Sequence, residues 1–227
     1  REKNFLDFRE KALKIIQDRT INLSDRITAL FKECNAEFLD SDFKISDELL
    51  LEINNSINSY GAGVSFYIVS LNDGMTIGYN VDKGFETASS IKAPYALYIY
   101  KEIAAGNINP DQLISYEEKY YNKGTGIIKK SDFGTTYSVK DLVYYSLNDS
   151  DNIAHIMLHK NFGVKGYNDM LKNLGTKQLY LTAGNPWGYT SSRSAALVWQ
   201  EIYNFSLQGN EGIEFLKYPF ISLIALV

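Results

Sequence analysis

Cysteine is almost missing from this chain: Cys34 stands alone among 227 residues. A single cysteine excludes an intrachain disulfide framework and a cysteine-rich zinc site. Long apolar runs are missing too. No stretch approaches the ~20 residues that a spanning helix needs, so no membrane span is expected. There is also no excess of positive charge. Lys and Arg number 23 against 27 Asp and Glu, for a formal net charge of −4 and a pI near 5.3. Nothing gathers the cations into a patch that could track a phosphate backbone, so nucleic acid is not an expected partner. Internal repeats and low-complexity tracts are absent. No signal peptide precedes Arg1 and the first residue is not Met. The expectation is a trimmed or mature chain whose leader or anchor lies upstream.

What is present is ordinary for a globular protein, with 45% hydrophobic and 22% charged residues on a chain long enough to bury a full core. Residues 1–45 read as a helical appendage. Leu6, Leu13 and Ile16 mark one amphipathic face, and Ile27, Leu30, Phe31 and Cys34 mark another behind an N-cap at Ser24. The main domain, 46–227, should open with a helix started by Ser46, Asp47 and Glu48 and carrying Leu50, Ile53 and Ile57. Val64 to Val69, the turn Asn72-Asp73-Gly74, and Thr76 to Tyr79 make a hairpin. From about 90 to 208 the pattern is helical, with breaks near Gly106 to Pro110, Gly134 to Tyr137, Asn148 to Asp151, Gly163 and Ala183 to Ser192. Ser138 with Asp141 three residues on is a capping-box-like helix start.

The hairpin leads into Glu86-Thr87-Ala88-Ser89-Ser90-Ile91-Lys92-Ala93-Pro94 and the apolar run Tyr95, Ala96, Leu97, Ile99, Tyr100, Ile103 and Ala104, closed by Gly106. Positions i and i+3 share a helix face, so Ser89 and Lys92 can meet whereas Ser90 would face Ala93. A serine hydroxyl is a weak nucleophile until a base takes its proton, and a lysine can be that base once its pKa falls toward neutrality. Burial and the positive end of the helix dipole both push Lys92 that way. Ser-x-x-Lys by itself is a weak signal: Ser41-Asp42-Phe43-Lys44 is a second copy, without an apolar helix behind it. A second triplet, Ser150-Asp151-Asn152, lies between two helical segments and could alone be no more than a turn and an N-cap.

Taken together, Ser89-Ser90-Ile91-Lys92, Ser150-Asp151-Asn152, Gly124-Thr125-Gly126-Ile127-Ile128, Leu142 to Leu158 and Gly188-Tyr189-Thr190-Ser191-Ser192-Arg193 resemble the class A β-lactamases and penicillin-binding serine hydrolases, in that family's order and over roughly residues 46 to 227. The resemblance implies an α/β (α+β) sandwich: an antiparallel sheet flanked by helices, with an inserted, mostly helical lobe and the site at their seam. It implies a serine hydrolase that forms an acyl-enzyme on Ser89 with a β-lactam or a peptidoglycan-peptide amide, outside or on the surface of a bacterium, without cofactor or metal. Lys92 would be the base and Ser150 the proton shuttle to the leaving nitrogen. Asn152 would clamp the substrate's acyl amide, Asp151 would be structural, and Tyr121 and Thr190 would touch substrate, with Tyr120 and Tyr121 as rim aromatics. His155 and His159 share a helix face at the spacing of two zinc ligands, but no glutamate or third ligand accompanies them, so they read as structural.

Two of the family's features are missing. No Lys-Thr-Gly occurs, and Tyr218 to Val227 resembles the family's closing strand joined directly to the preceding helix. The expectation is that a few tens of residues between about Asn210 and Tyr218 are lacking from this sequence; the rival reading is a truncated or degenerate protein without that strand. Second, Leu171 to Gln200 contains no Asp or Glu, where the family's β-lactamases carry the glutamate that activates the deacylating water; Asn185 is a loose match to the asparagine of that loop. Acylation is therefore expected to outrun deacylation. The alternative is a non-catalytic penicillin- or cell-wall-peptide-binding module that keeps the pocket.

Overall fold

The computed structural model describes residues 52, 53, 55–57, 59, 63–71, 74 and 76–208. The expected appendage of residues 1–45, the second Ser-x-x-Lys copy, most of the helix begun by Ser46 and the closing strand at 218–227 lie outside the described residues. The chain divides into two compact units, Arg1–Lys83 with Ser191–Ala196, and Gly84–Thr190 with Leu197–Val227.

In the first unit the expected hairpin is present. Strands β1 (Phe66–Val69) and β2 (Thr76–Tyr79) pair antiparallel, Phe66 opposite Tyr79 and Val69 opposite Thr76. Arg193 donates from Nε to Asp82 Oδ1 at 3.0 Å and lies over the Tyr67 ring, while the Ser65 and Ser192 hydroxyls meet at 2.6 Å.

The second unit is built around one helix. Strand β3 (Phe85–Glu86) leads into a 3-10 turn at Ala88–Ile91 and then helix α1 (Lys92–Ala104), in which every residue from Lys92 to Tyr100 is buried. A helix apolar on all sides has to be central, and α1 is. Its buried tyrosines satisfy their hydroxyls: Tyr95 donates to Gly163 O at 2.6 Å, and Tyr167 of a neighbouring helix donates to Leu179 O at 2.9 Å. Burial pushes both phenols well above their ordinary pKa.

Around α1 stand α2 (Val139–Asn148), α3 (Asn152–Phe162), α4 (Lys165–Asn173) and α5 (Ser192–Ser206), whose Val198, Ile202 and Phe205 join the core with Leu142, Val143, Ile153, Met157 and Leu171. Between α1 and α2 the helical expectation is wrong. A small antiparallel sheet pairs β4 (Leu113–Ser115) with β5 (Thr136–Ser138), and two further 3-10 turns lie between them. Three-residue strands this far apart in sequence leave no period for a pattern to register. Strand β6 (Tyr189–Thr190) pairs with β3, so the chain entering the first turn of the serine-bearing helix is tied to the segment ending at Thr190. Thr87 N donates to Gly188 O at 3.0 Å in the same ladder.

The start of α2 is a capped helix end, as the Ser138/Asp141 pair implies. Ser138 Oγ accepts from Asp141 N at 3.2 Å and donates to the Asp141 carboxylate at 2.5 Å. Ser138→Ala should cost about 1 kcal/mol. Thermal unfolding of the variant should therefore begin roughly 2–4 °C lower; an unchanged midpoint would show that the cap contributes nothing.

Candidate active site

Ser89 sits in the 3-10 turn, not in the α-helix proper. With three residues per turn, side chains at i and i+3 eclipse, which brings Ser89 and Lys92 together more directly than the α-helical spacing would. Lys92 is 2% exposed. Its Nζ donates to Ser150 O at 2.6 Å, Asn152 Oδ1 at 2.8 Å, Ser150 Oγ at 3.0 Å and Ser89 Oγ at 3.2 Å. The Ser150 hydroxyl in turn donates to Ser89 Oγ at 2.8 Å. Ser89 itself is exposed. Side chains from two segments about 60 positions apart in sequence, Ser89 on one and Ser150 and Asn152 on the other, thus converge on one amine. Burial lowers the Lys92 pKa to about 8 from 10.5, against the opposing pull of the nearby Asp151 charge. Desolvation is the cause expected from the sequence, and it holds a fraction of the amine neutral near pH 7.

The backbone is strained where these groups meet. Among the described residues, non-glycine positive φ occurs at Ala88 (44°) and Ser150 (49°), beside and within the cluster, and at Asn80 and Leu179. At Ser150 this turn lets both the carbonyl and the hydroxyl oxygen reach Lys92.

Asp151 is fully buried and accepts four backbone N–H groups: Ile127 at 2.6 Å and Ile128 at 2.9 Å on Oδ2, Ile153 at 2.8 Å and Ala154 at 3.0 Å on Oδ1. The carboxylate caps α3 and clamps the Gly124–Ile128 loop onto it. That loop needs its glycines. A Cβ on Gly126, where φ is +128°, would lie 2.2 Å from Asp151 Cγ, and one on Gly124 would lie 2.1 Å from Asn152 Nδ2. Asn152 N donates to Thr125 O at 2.9 Å, which closes the same contact from the other side.

Among the other expected residues, Tyr121 is 51% exposed, immediately before Asn122. Tyr120 is not a rim residue: it is 4% exposed, packed in the core, and its hydroxyl accepts from Asn161 Nδ2 at 3.2 Å. Thr190 is half-buried in β6, opposite Phe85. The two histidines, which the sequence reads as structural, each meet a backbone carbonyl. His155 Nε2 meets Pro186 O at 2.9 Å and His159 Nε2 meets Thr182 O at 3.0 Å, while Lys160 donates to Ala183 O at 2.8 Å, so α3 holds the 182–186 segment by its backbone carbonyls. Asn185 turns the same segment, with Oδ1 accepting from Trp187 N at 2.9 Å. A cavity of about 240 Å³ runs along this stretch between Gln178 and Tyr189.

Two neighbours of the cluster carried no signal in the sequence. Trp187 places its ring 5.6 Å from Lys92 Nζ and packs at a tilt against His155, with the ring centroids 5.2 Å apart. Asn122 accepts at Oδ1 from Asn152 Nδ2 at 3.1 Å and from Gly124 N at 2.8 Å. Asn122-Lys123-Gly124 reads locally only as a turn. No group of three or more His, Cys, Asp or Glu that could hold a metal occurs among the described residues.

A family model for the beta-lactamase enzyme family matches residues 48–217. The chain belongs to that family. It is 31% identical over 120 residues to the β-lactamase VEB-1 of Pseudomonas aeruginosa, an alignment covering 52% of this chain and 40% of that protein. The chain therefore spans less than half the length of this curated relative. Among solved structures, a β-lactamase from Sphaerobacter thermophilus superposes with a TM-score of 0.61 at 22% identity, over 70% of this chain and 63% of that one. A PBP-A variant solved as an acyl-enzyme complex with penicillin G superposes with a TM-score of 0.67 at 17% identity, over 76% of this chain and 67% of that one. The fold expected from the sequence, β-lactamase/transpeptidase-like, is the one found.

The histidine contacts have a pH consequence. With Nε2 spent on a carbonyl, the Nδ1 atoms of His155 and His159 are buried without a partner. Protonation would bury an N–H facing no acceptor. Burial is the main cause that lowers the His155 pKa from 6.5 to about 4, and burial lowers His159 as well. Between these two pH values the unfolded chain binds more protons than the folded one, so stability rises with pH. It should be fully present above pH 6.5 and decline toward pH 4, with His155 contributing up to about 3 kcal/mol. Urea unfolding of the wild type and of His155→Phe at pH 7.5 and 4.5 measures this. An equal pH dependence in both proteins would remove His155 from the account.

Proposed function

We propose that this chain is a serine acyl-transfer hydrolase that forms an acyl-enzyme on Ser89 with β-lactams or related cell-wall peptide amides and releases it slowly. One observation carries the reading: the Lys92 amine lies within hydrogen-bond reach of both the Ser89 and Ser150 hydroxyls, which also bond to each other. Neutral Lys92 takes the Ser89 proton as Oγ attacks the acyl carbon. The C–N bond then breaks, and the Ser150 hydroxyl gives its proton to the departing nitrogen and is reprotonated by the Lys92 ammonium. The Ser89 N–H, in the first turn where a helix leaves its donors without internal partners, is one oxyanion donor. Asn152 holds the acyl amide through its side chain.

The slow release rests on the composition of the 171–200 segment, which carries no Asp or Glu. Asp151 cannot substitute as a water-activating base, because its two oxygens already hold four backbone N–H groups. Removing a general base costs about 10² to 10⁴ in rate. The product of acylation should therefore accumulate.

A fluorescent penicillin should label the protein 1:1 at the Ser89 peptide, and Ser89→Ala should abolish labelling; persistence in that variant would refute the assignment, and no labelling of the wild type would favour a non-catalytic binding module. Lys92→Met should slow labelling by about 10² to 10⁴. The rate of labelling should climb with pH through about 8, as Lys92 loses its proton, and level off above it. A flat profile from pH 6 to 9 would mean that Lys92 is not the base. With a chromogenic cephalosporin the same enzyme should show a burst near one equivalent and a slow steady state. Fast turnover without a burst would reveal a deacylating base elsewhere.

A further inference from the structure

We infer that Asn122 is the positioning residue that sets the orientation of the Asn152 side-chain amide. The inference rests on the acyl-transfer reading above. A side-chain amide can flip, exchanging an acceptor for a donor, and only its partners decide which way it sits. Here the partners leave one solution. At one end Lys92 Nζ donates to Asn152 Oδ1 at 2.8 Å, so Nδ2 must point the other way, where it meets Asn122 at 3.1 Å. At the other end the Gly124 N–H, whose direction the backbone dictates, donates to Asn122 Oδ1 at 2.8 Å. The Gly124 N–H donates in every protonation state of the site, so it fixes Asn122 and through it Asn152, and the Lys92 ammonium at the other end favours the same single arrangement.

The consequence falls on the substrate. An Nδ2 group carries two protons, and Asn122 takes one of them, leaving one for the oxygen of an acyl amide. A flipped Asn152 would present a donor to the Lys92 ammonium and a bare oxygen to that acyl oxygen, losing both contacts. The glycine at 124 belongs to the same device. Any Cβ there would sit 2.1 Å from Asn152 Nδ2 and 2.7 Å from Asn122 Oδ1.

Only the acceptor oxygen of Asn122 is used in these contacts, and this makes the test discriminating. Asn122→Leu removes the acceptor at similar volume and should lower the second-order rate of penicillin acylation by roughly 10- to 100-fold, the scale of a misplaced binding group. Asn122→Asp keeps an acceptor for both donors and should recover most of that loss. The added carboxylate favours the Lys92 ammonium, so the rise in rate with pH should move to higher pH in this variant. In an Asn152→Ala background Asn122→Leu should have no further effect, because its influence passes through the amide that has been removed.

A second measurement does not depend on acylation. In ¹⁵N-labelled protein the Asn152 side-chain amide protons, assigned by their loss in Asn152→Ala, should exchange with water at least about tenfold faster in Asn122→Leu than in the wild type or Asn122→Asp. Equal exchange in all three, equal losses of rate in the Leu and Asp variants, or full additivity with Asn152→Ala would overturn the inference. Absence of any labelling in the wild type would count against the acyl-transfer reading alone and leave the exchange experiment to decide on Asn122.

Discussion

The Asp151 carboxylate, buried with four backbone N–H groups on its two oxygens, is the contact on which the site depends. It joins the first turn of α3 to the Gly124–Ile128 loop, and its own neighbours in the chain, Ser150 and Asn152, are the groups presented to Lys92. A buried carboxylate without partners would cost several kcal/mol, so this residue is stable only while both segments are in place. The loop's glycines follow from that demand, since no side chain fits between the loop and the triplet. A structural anchor at the middle position thereby delivers chemical groups at the two flanking ones.

Lys92 shows the opposite balance. Its amine is nearly excluded from water, yet it has four oxygen contacts, and the outcome is a pKa of about 8 in place of 10.5. A depression of that size corresponds to roughly 3 kcal/mol against the charged form. The partners are good enough to bury the group and too few in formal charge to keep it fully protonated. Asp151 is the nearby charge that raises the value, but both of its oxygens are committed to backbone. The lysine is therefore held in a site that favours neither its charged nor its neutral form strongly near pH 8.

The segment from 182 to 187 ties the site to the rest of the second unit. His155 and His159 hold its carbonyls, Trp187 packs at a tilt against His155, and the same indole covers Lys92. Helix α3 therefore begins at Asn152 in the site and, one and two turns later, secures the segment beside it.

Much of the site was legible in the sequence because the relevant signals are local. A serine and a lysine three residues apart ahead of an apolar run, an Asp in a Ser-Asp-Asn triplet opening a helix, and the Ser138 cap each depend on helical period and capping chemistry, which a few neighbouring residues determine. The missing carboxylate in 171–200 is likewise a fact of composition. Tertiary structure alone decided the rest. It put Tyr120 in the core, inserted the β4–β5 sheet where helix was expected, and brought Asn122 to Asn152 and Trp187 to Lys92. Neither residue differs locally from a turn asparagine or a loop tryptophan. The pKa of Lys92 belongs to this second group as well. Its sequence position permits a depression, but the size of it comes from burial by Ser150, Asn152 and Trp187, which only packing across some 60 to 95 positions brings together.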